Sequence, residues 1–152
     1  MSSLVPAIRA LMELALAHPD GPATARSFDH AFQFEIEDEG NFFLQVQGGR
    51  IIVEEGDSGL DWKVRDWQRV TCLHTSAAVL REAIAGQRLL AEAFFAGELG
   101  FAASRAAGRH TDATVEGSLA PWLYALFRLA HEQAGRVGYE QIISEIEHGS
   151  RA

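Results

Sequence analysis

Between Phe28 and Glu55 the chain alternates apolar and polar residues around two turn signals, and this run dictates a small β-meander. Phe28, Phe32, Phe34 and Ile36 interleave with His30, Gln33, Glu35 and Glu37, the pattern of a half-buried strand. Glu39-Gly40-Asn41 is a turn. Phe42, Leu44 and Val46 then share one face of a second strand ending at Gln47. Gly48-Gly49 supplies a two-residue hairpin connection, because glycine adopts the positive φ such turns need. Arg50 to Glu55 is a third strand carrying Ile51, Ile52 and Val53, broken by Gly56-Asp57-Ser58-Gly59. Leu60, Trp62 and Val64 alternate again, and a further extended stretch covers Arg69 to His74.

The flanks have the helical period instead. Leu4, Ile8, Leu11, Met12 and Ala15 form one apolar stripe over Ser3 to His18, with Ser2 or Ser3 as N-cap and Pro6 early, where its missing N–H costs little. His18-Pro19-Asp20-Gly21-Pro22 ends it. Thr75 or Ser76 caps a short helix with Val79, Leu80, Ala83 and Ile84 inward and Gly86 as its stop. Gln87 to Phe95 predicts a second short helix with Leu89, Leu90, Ala93 and Phe94 apolar, stopped by Gly97. Thr111, Ala113 and Val115 alternate like a strand. Ser118 opens the strongest helix, where Leu119, Trp122, Leu123, Leu126, Phe127 and Ala130 keep the helical spacing up to Gly135. Tyr139 to Glu147 predicts a last helix with Ile142, Ile143 and Ile146 on one side.

Strands grouped apart from helices indicate an α+β domain rather than a doubly wound sheet. The expected architecture is a mostly antiparallel sheet of about five strands covered by helices. A chain of 152 residues suits one domain with a proper core, so residues 1–152 are expected to form a single unit, with 136–152 as its C-terminal helix and tail.

Composition excludes several classes of function. The net charge is −8 and the pI about 5.2, with Lys63 the single lysine. Nucleic-acid binding needs clustered cations that this balance does not supply. Cys72 is the only cysteine, so neither an intrachain disulfide nor a thiolate zinc cluster can form, and no metal or cofactor is expected. No apolar run reaches the roughly 20 residues of a membrane span, and the N-terminus lacks a signal-peptide pattern. A cytoplasmic protein is the expectation.

The stretch from His74 to Gly86, followed by Ala93-Phe94-Phe95-Ala96-Gly97-Glu98-Leu99, resembles the middle of the sterol carrier protein 2 family. In that family a short helix ending in Gly precedes a second one with an Ala-Phe-x-x-Gly-Lys-Leu motif, then a strand, a Gly-Asp turn and a helix. Val115-Glu116-Gly117-Ser118-Leu119 is similar to the final strand and turn. The resemblance runs from about Leu4 to Leu129 and implies a five-stranded sheet, helices over one face and an apolar pocket between them. Two departures stand out. Glu98 replaces the usual lysine, and an extra stretch, 100–112, separates the motif from the last strand. That stretch is expected at the pocket rim, where Arg105, Arg109 and His110 form a cationic cluster in an acidic chain.

The resemblance thus implies a binding or carrier module for a lipid-like or polycyclic small molecule. Phe94, Phe95, Trp122 and Leu126 are the expected apolar lining, Arg105 and Arg109 the polar contacts, and a partner enzyme or second copy the possible associates. The alternative is a small enzyme of specialised metabolism that cyclises or dehydrates a hydrophobic substrate in the same pocket. His110, Asp112 and His74 would then be its acid/base groups, since an imidazole and a carboxylate two residues apart on a strand share a face. Against that stand plain readings: His110-Thr111-Asp112 as a solvated loop, Cys72 as inert core beside His74, Asp29-His30 as turn residues, Trp62 and Trp67 as packing, and the acidic run Glu35, Glu37, Asp38, Glu39 as a solvated strand end.

Overall fold

The computed structural model describes residues 4–56, 70–101 and 113–151. Helix α1 (Val5–Ala17) and the short α2 (Gly21–Arg26) precede strands β1 (His30–Ile36), β2 (Gly40–Gln47), β3 (Arg50–Glu55) and β4 (Val70–Thr75). Helices α3 (Ala77–Ile84) and α4 (Leu90–Phe95), the two-residue β5 (Gly100–Phe101), and helices α5 (Ala113–Val137) and α6 (Glu140–Arg151) complete the order.

The sheet order is β3-β2-β1-β4-β5. The meander forms as the alternation demands, with Phe34 opposite Phe42 and Leu44 opposite Val53 in antiparallel register. The sheet is nevertheless mixed, because β4 runs parallel to β1 and aligns Leu73 with Phe34. The expectation of about five mostly antiparallel strands is corrected accordingly: four strands of six to eight residues make the sheet, and the fifth is a two-residue pairing of Gly100–Phe101 with β4. A meander consumes only one side of β1. Local turn chemistry cannot say in which direction the chain returns to the other side.

The expected strand from Thr111 to Val115 is also corrected, since α5 begins at Ala113. Three alternating residues do not specify a strand without a ladder partner, and the outer edge of β4 is paired by β5. Pro121 therefore lies inside α5 and not in its first turn. The His18–Pro22 run ends α1 at Ala17 as expected, and Gly21 then opens α2 with a proline in its first turn. Ser2 and Ser3 lie outside the described residues, and the N-cap position of α1 is Leu4, without a side-chain cap. Leu60, Trp62, Val64 and Trp67 lie outside the described residues as well.

One sheet face carries the main core. Phe32, Phe34, Phe42, Leu44 and Leu73 pack with Ile8 and Leu11 of α1, Leu80 and Ile84 of α3, and Leu123 and Leu126 of α5. Phe34 and Phe42 stack at 4.7 Å between ring centroids. Ala31, Gln33, Val70 and Cys72, which alternate with these residues on β1 and β4, are buried too. Gln33 satisfies its amide there by donating from Nε2 to the carbonyls of Phe42 and Gly56, at 3.1 and 3.0 Å.

The acidic turn after β1 is tied to α3. Asp38 Oδ1 accepts from the Ala77 N–H at 3.0 Å, and Ser76 Oγ accepts from Val79 N–H at 3.3 Å, so two of the orphan donors at this helix start are satisfied. Glu39 pairs with Arg81 across the same junction. This corrects the picture of a merely solvated strand end. At the far end of α3, Gly86 has φ +77°, and a Cβ there would lie 2.8 Å from the Tyr139 hydroxyl oxygen. Gly86→Ala combines left-handed strain with this clash and is expected to cost about 1–3 kcal/mol. Thermal unfolding reads it directly, and an unchanged Tm would show that Tyr139 does not seat on this turn.

Candidate functional site

An apolar cleft of about 170 Å³ lies between α4 and α5. Leu89, Leu90 and Ala91 form one wall, and Tyr124, Phe127, Arg128 and His131 the other. Helical spacing explains the second wall: positions 124, 127, 128 and 131 lie on one stripe of α5, while Leu123 and Leu126 turn into the core. Leu90 and Phe127 are buried, whereas Leu89 is 57% exposed. The helix expected from Gln87 is corrected, because α4 starts only at Leu90 and leaves Leu89 at its N-cap.

His131 closes the base of the cleft and is fully engaged. Its Nε2 lies 2.8 Å from the Ala83 carbonyl oxygen, and its Nδ1 lies 2.9 Å from the Tyr139 hydroxyl oxygen. A carbonyl only accepts, so Nε2 carries the proton, and Nδ1 accepts from the Tyr139 O–H. Burial pushes the pKa of His131 down, opposed by the bond to Ala83. A neutral imidazole with both nitrogens used fastens α5 to α3 and α6 and has no lone pair left for catalysis. Arg88 at the rim is held by Glu98 and by Glu82, while Arg128 is exposed. Burial raises the Tyr124 phenol above its ordinary range, so it stays a neutral hydroxyl at the cleft wall.

A second polar group sits within the apolar interior. His30 is 4% exposed. Its Nε2 lies 2.8 Å from Thr71 Oγ1, and its Nδ1 has no hydrogen-bond partner among the described residues. Phe32 and Trp122 contact the ring edge-on at 5.1 and 5.5 Å, and Trp122 itself stacks on Phe28 at 4.7 Å. Burial lowers the His30 pKa to about 4. The reading of Asp29-His30 as turn residues fits only Asp29, whose Oδ1 accepts from the Gly48 N–H at 3.0 Å. His30 opens β1 and faces inward with Phe32 and Phe34.

The residues expected at the site are dispersed. Leu126 is fully buried in the packed core and is not among the residues that line the α4–α5 cleft. Trp122 is half-buried beside His30, and Phe94 is half-buried against the core. Phe95 meets Phe94 edge-on but is 85% exposed. His74 Nε2 faces Glu37 Oε1 at 3.6 Å near the surface, and Cys72 is buried. Arg105, Arg109, His110 and Asp112 lie outside the described residues. Sequence reasoning passed over Tyr124, His131 and the inward direction of His30. Each had a signal: His131 continues the Tyr124–Phe127 stripe, and His30 falls in phase with Phe28, Phe32 and Phe34. Among the described residues no group of three or more His, Cys, Asp or Glu side chains could hold a metal, and no helix is long and apolar enough to cross a membrane.

No protein-family model and no curated protein matches the chain. Solved structures do. A UbiJ-SCP2 ubiquinone synthesis protein superposes with a TM-score of 0.52 at 17% identity, over 79% of this chain and 88% of that one. The solution structure of a conserved hypothetical protein from Thermus thermophilus, whose description offers a sterol carrier protein as its identity, gives a TM-score of 0.46 at 14% identity, over 88% of this chain and 87% of that one. The first of these likenesses shows an SCP2-like α+β fold, as the helix–Gly–helix pattern from His74 to Leu99 implied.

Proposed function

We propose that this chain is a non-catalytic binding module that holds a hydrophobic small molecule in the cleft between α4 and α5. The observation that carries this reading is the apolar opening formed by Leu89, Leu90, Tyr124 and Phe127 on an SCP2-like scaffold. Burying apolar ligand surface there supplies about 25 cal/mol per Å² before the costs of association. The carrier reading draws further support from His131, whose nitrogens are both committed to the fold. The enzyme alternative finds no such support, since His74 lies against Glu37 and does not line the cleft. The stretch 100–112 at the rim, with Arg105 and Arg109 as polar contacts, belongs to the same proposal.

Native mass spectrometry of protein purified from its own host tests the reading, with a co-purifying apolar molecule as the expected result. Ala91→Trp locates it. The new indole fills the cleft from α4, and affinity for the recovered ligand should fall about tenfold or more while Tm changes little. Unchanged affinity would remove the ligand from this cleft.

A further inference from the structure

We infer that His30 Nδ1 is a hydrogen-bonding point for an apolar guest bearing one neutral oxygen, a hydroxyl or a carbonyl, bound beneath Trp122 between β1 and α5. This site is distinct from the α4–α5 cleft, which His30 and Trp122 do not line.

A buried polar atom without a partner costs about 1–3 kcal/mol, and such atoms are rare enough to require a reason. Among the described residues, His30 Nδ1 is one of them. The other nitrogen is not free to compensate, because Nε2 is taken by Thr71 Oγ1. Thr71 fixes the ring from the β4 side and leaves Nδ1 for something else.

The surroundings define what that something is. Phe32 and Trp122 meet the imidazole edge-on, and Phe28 packs behind them against both rings. Flat apolar faces of this kind stack on ring systems. Among the described residues, the hydrogen-bond and ring partners of His30 are Thr71, Phe32 and Trp122, none of them charged. An ionised head group would be desolvated there without a counter-charge. A neutral hydroxyl suits either tautomer of His30, since it both donates and accepts, and a carbonyl suits the tautomer with the proton on Nδ1. Trp122 is half-buried where His30 and Phe28 are buried. On this proposal the guest enters as the Trp122 side chain rotates, a motion fast compared with binding.

The test uses 2-naphthol and naphthalene, which share a flat apolar frame and differ by one hydroxyl. Both are titrated into the wild-type protein and into His30→Phe, with affinities and imidazole 15N shifts read by NMR. In the wild type, 2-naphthol should move the His30 Nδ1 resonance, and naphthalene should not. The ratio of the two affinities should drop about tenfold in His30→Phe, the worth of one hydrogen bond in a double-mutant comparison. The 15N measurement needs no variant, so it decides the matter even if His30→Phe fails to fold. The inference is overturned by an Nδ1 signal unmoved at saturating 2-naphthol, or by an affinity ratio equal in both proteins. It is equally overturned if neither probe binds, or if a water cross-peak to the imidazole persists with 2-naphthol bound. None of these results touches the α4–α5 cleft, which Ala91→Trp tests separately.

Discussion

Lowering the pH from about 6.5 to about 4 should weaken the fold by about 3 kcal/mol through His30 alone. The buried imidazole has its pKa lowered to about 4 from an ordinary 6.5. Between these values the unfolded chain binds a proton that the folded chain does not, so stability rises with pH across the window. The contribution is fully present above pH 6.5 and is lost as the pH falls toward 4. The cause is desolvation: a charged ring among Phe32, Phe28 and Trp122 would lose its water and gain no anion. His131 is shifted in the same direction by burial, so the whole-protein slope exceeds that of His30. Urea denaturation midpoints of the wild type and His30→Phe, measured from pH 7 to 4, isolate the His30 part as a difference. Parallel curves would show that His30 titrates alike in both states, and its burial would then be without consequence.

Phe34→Ala should cost about 3–5 kcal/mol, a large part of the 5–15 kcal/mol typical of a domain. Phe34 is fully buried at the centre of the sheet, opposite Phe42 on β2 and aligned with Leu73 on β4. Removing its ring takes away one half of the Phe34–Phe42 stack and leaves a cavity that β-strands on both sides prevent from collapsing. Phe42→Ala should be similarly costly. The double variant should lose less than the sum, by about 0.5–1.5 kcal/mol, because the second truncation has no stack left to break. Phe95→Ala is the matched control, since that ring is 85% exposed and its loss should stay within about 0.5 kcal/mol. Equal effects at positions 34 and 95 in equilibrium unfolding would mean that the inward phase of β1 is misassigned.

Much of this architecture is legible residue by residue. The Gly48-Gly49 hairpin, with positive φ at both glycines, joins two strands whose register follows from their alternation. Ser76 caps α3 as its position before an apolar-periodic run requires. The stripe Leu123, Leu126, Phe127 and Ala130 is buried as its helical spacing demands. Where local signals were thin, tertiary pairing decided. Val115 alternates with Ala113 but has no strand to pair with, and the segment is helical. Gly100–Phe101 has no strand signature, yet it completes the ladder on β4.

The candidate site divides along the same line. Apolar residues at helical spacing on α4 and α5 mark faces that must be covered, but spacing does not say whether they are covered by each other or leave a gap. Leu126 and Phe127 are neighbours of one chemical class; one fills the core and the other borders the cleft, because a rotation of about 100° per residue separates them around α5. His30 and His131 are indistinguishable as letters. Among the described residues the fold gives His131 two hydrogen-bond partners and His30 one. The sequence by itself determined the three-strand meander, the helix stripes and the α+β class, since these depend on residue type and short-range period. The parallel β1–β4 pairing, the cleft and the orphaned nitrogen of His30 were decided only by the tertiary structure, because each depends on which distant element comes to lie against a given face.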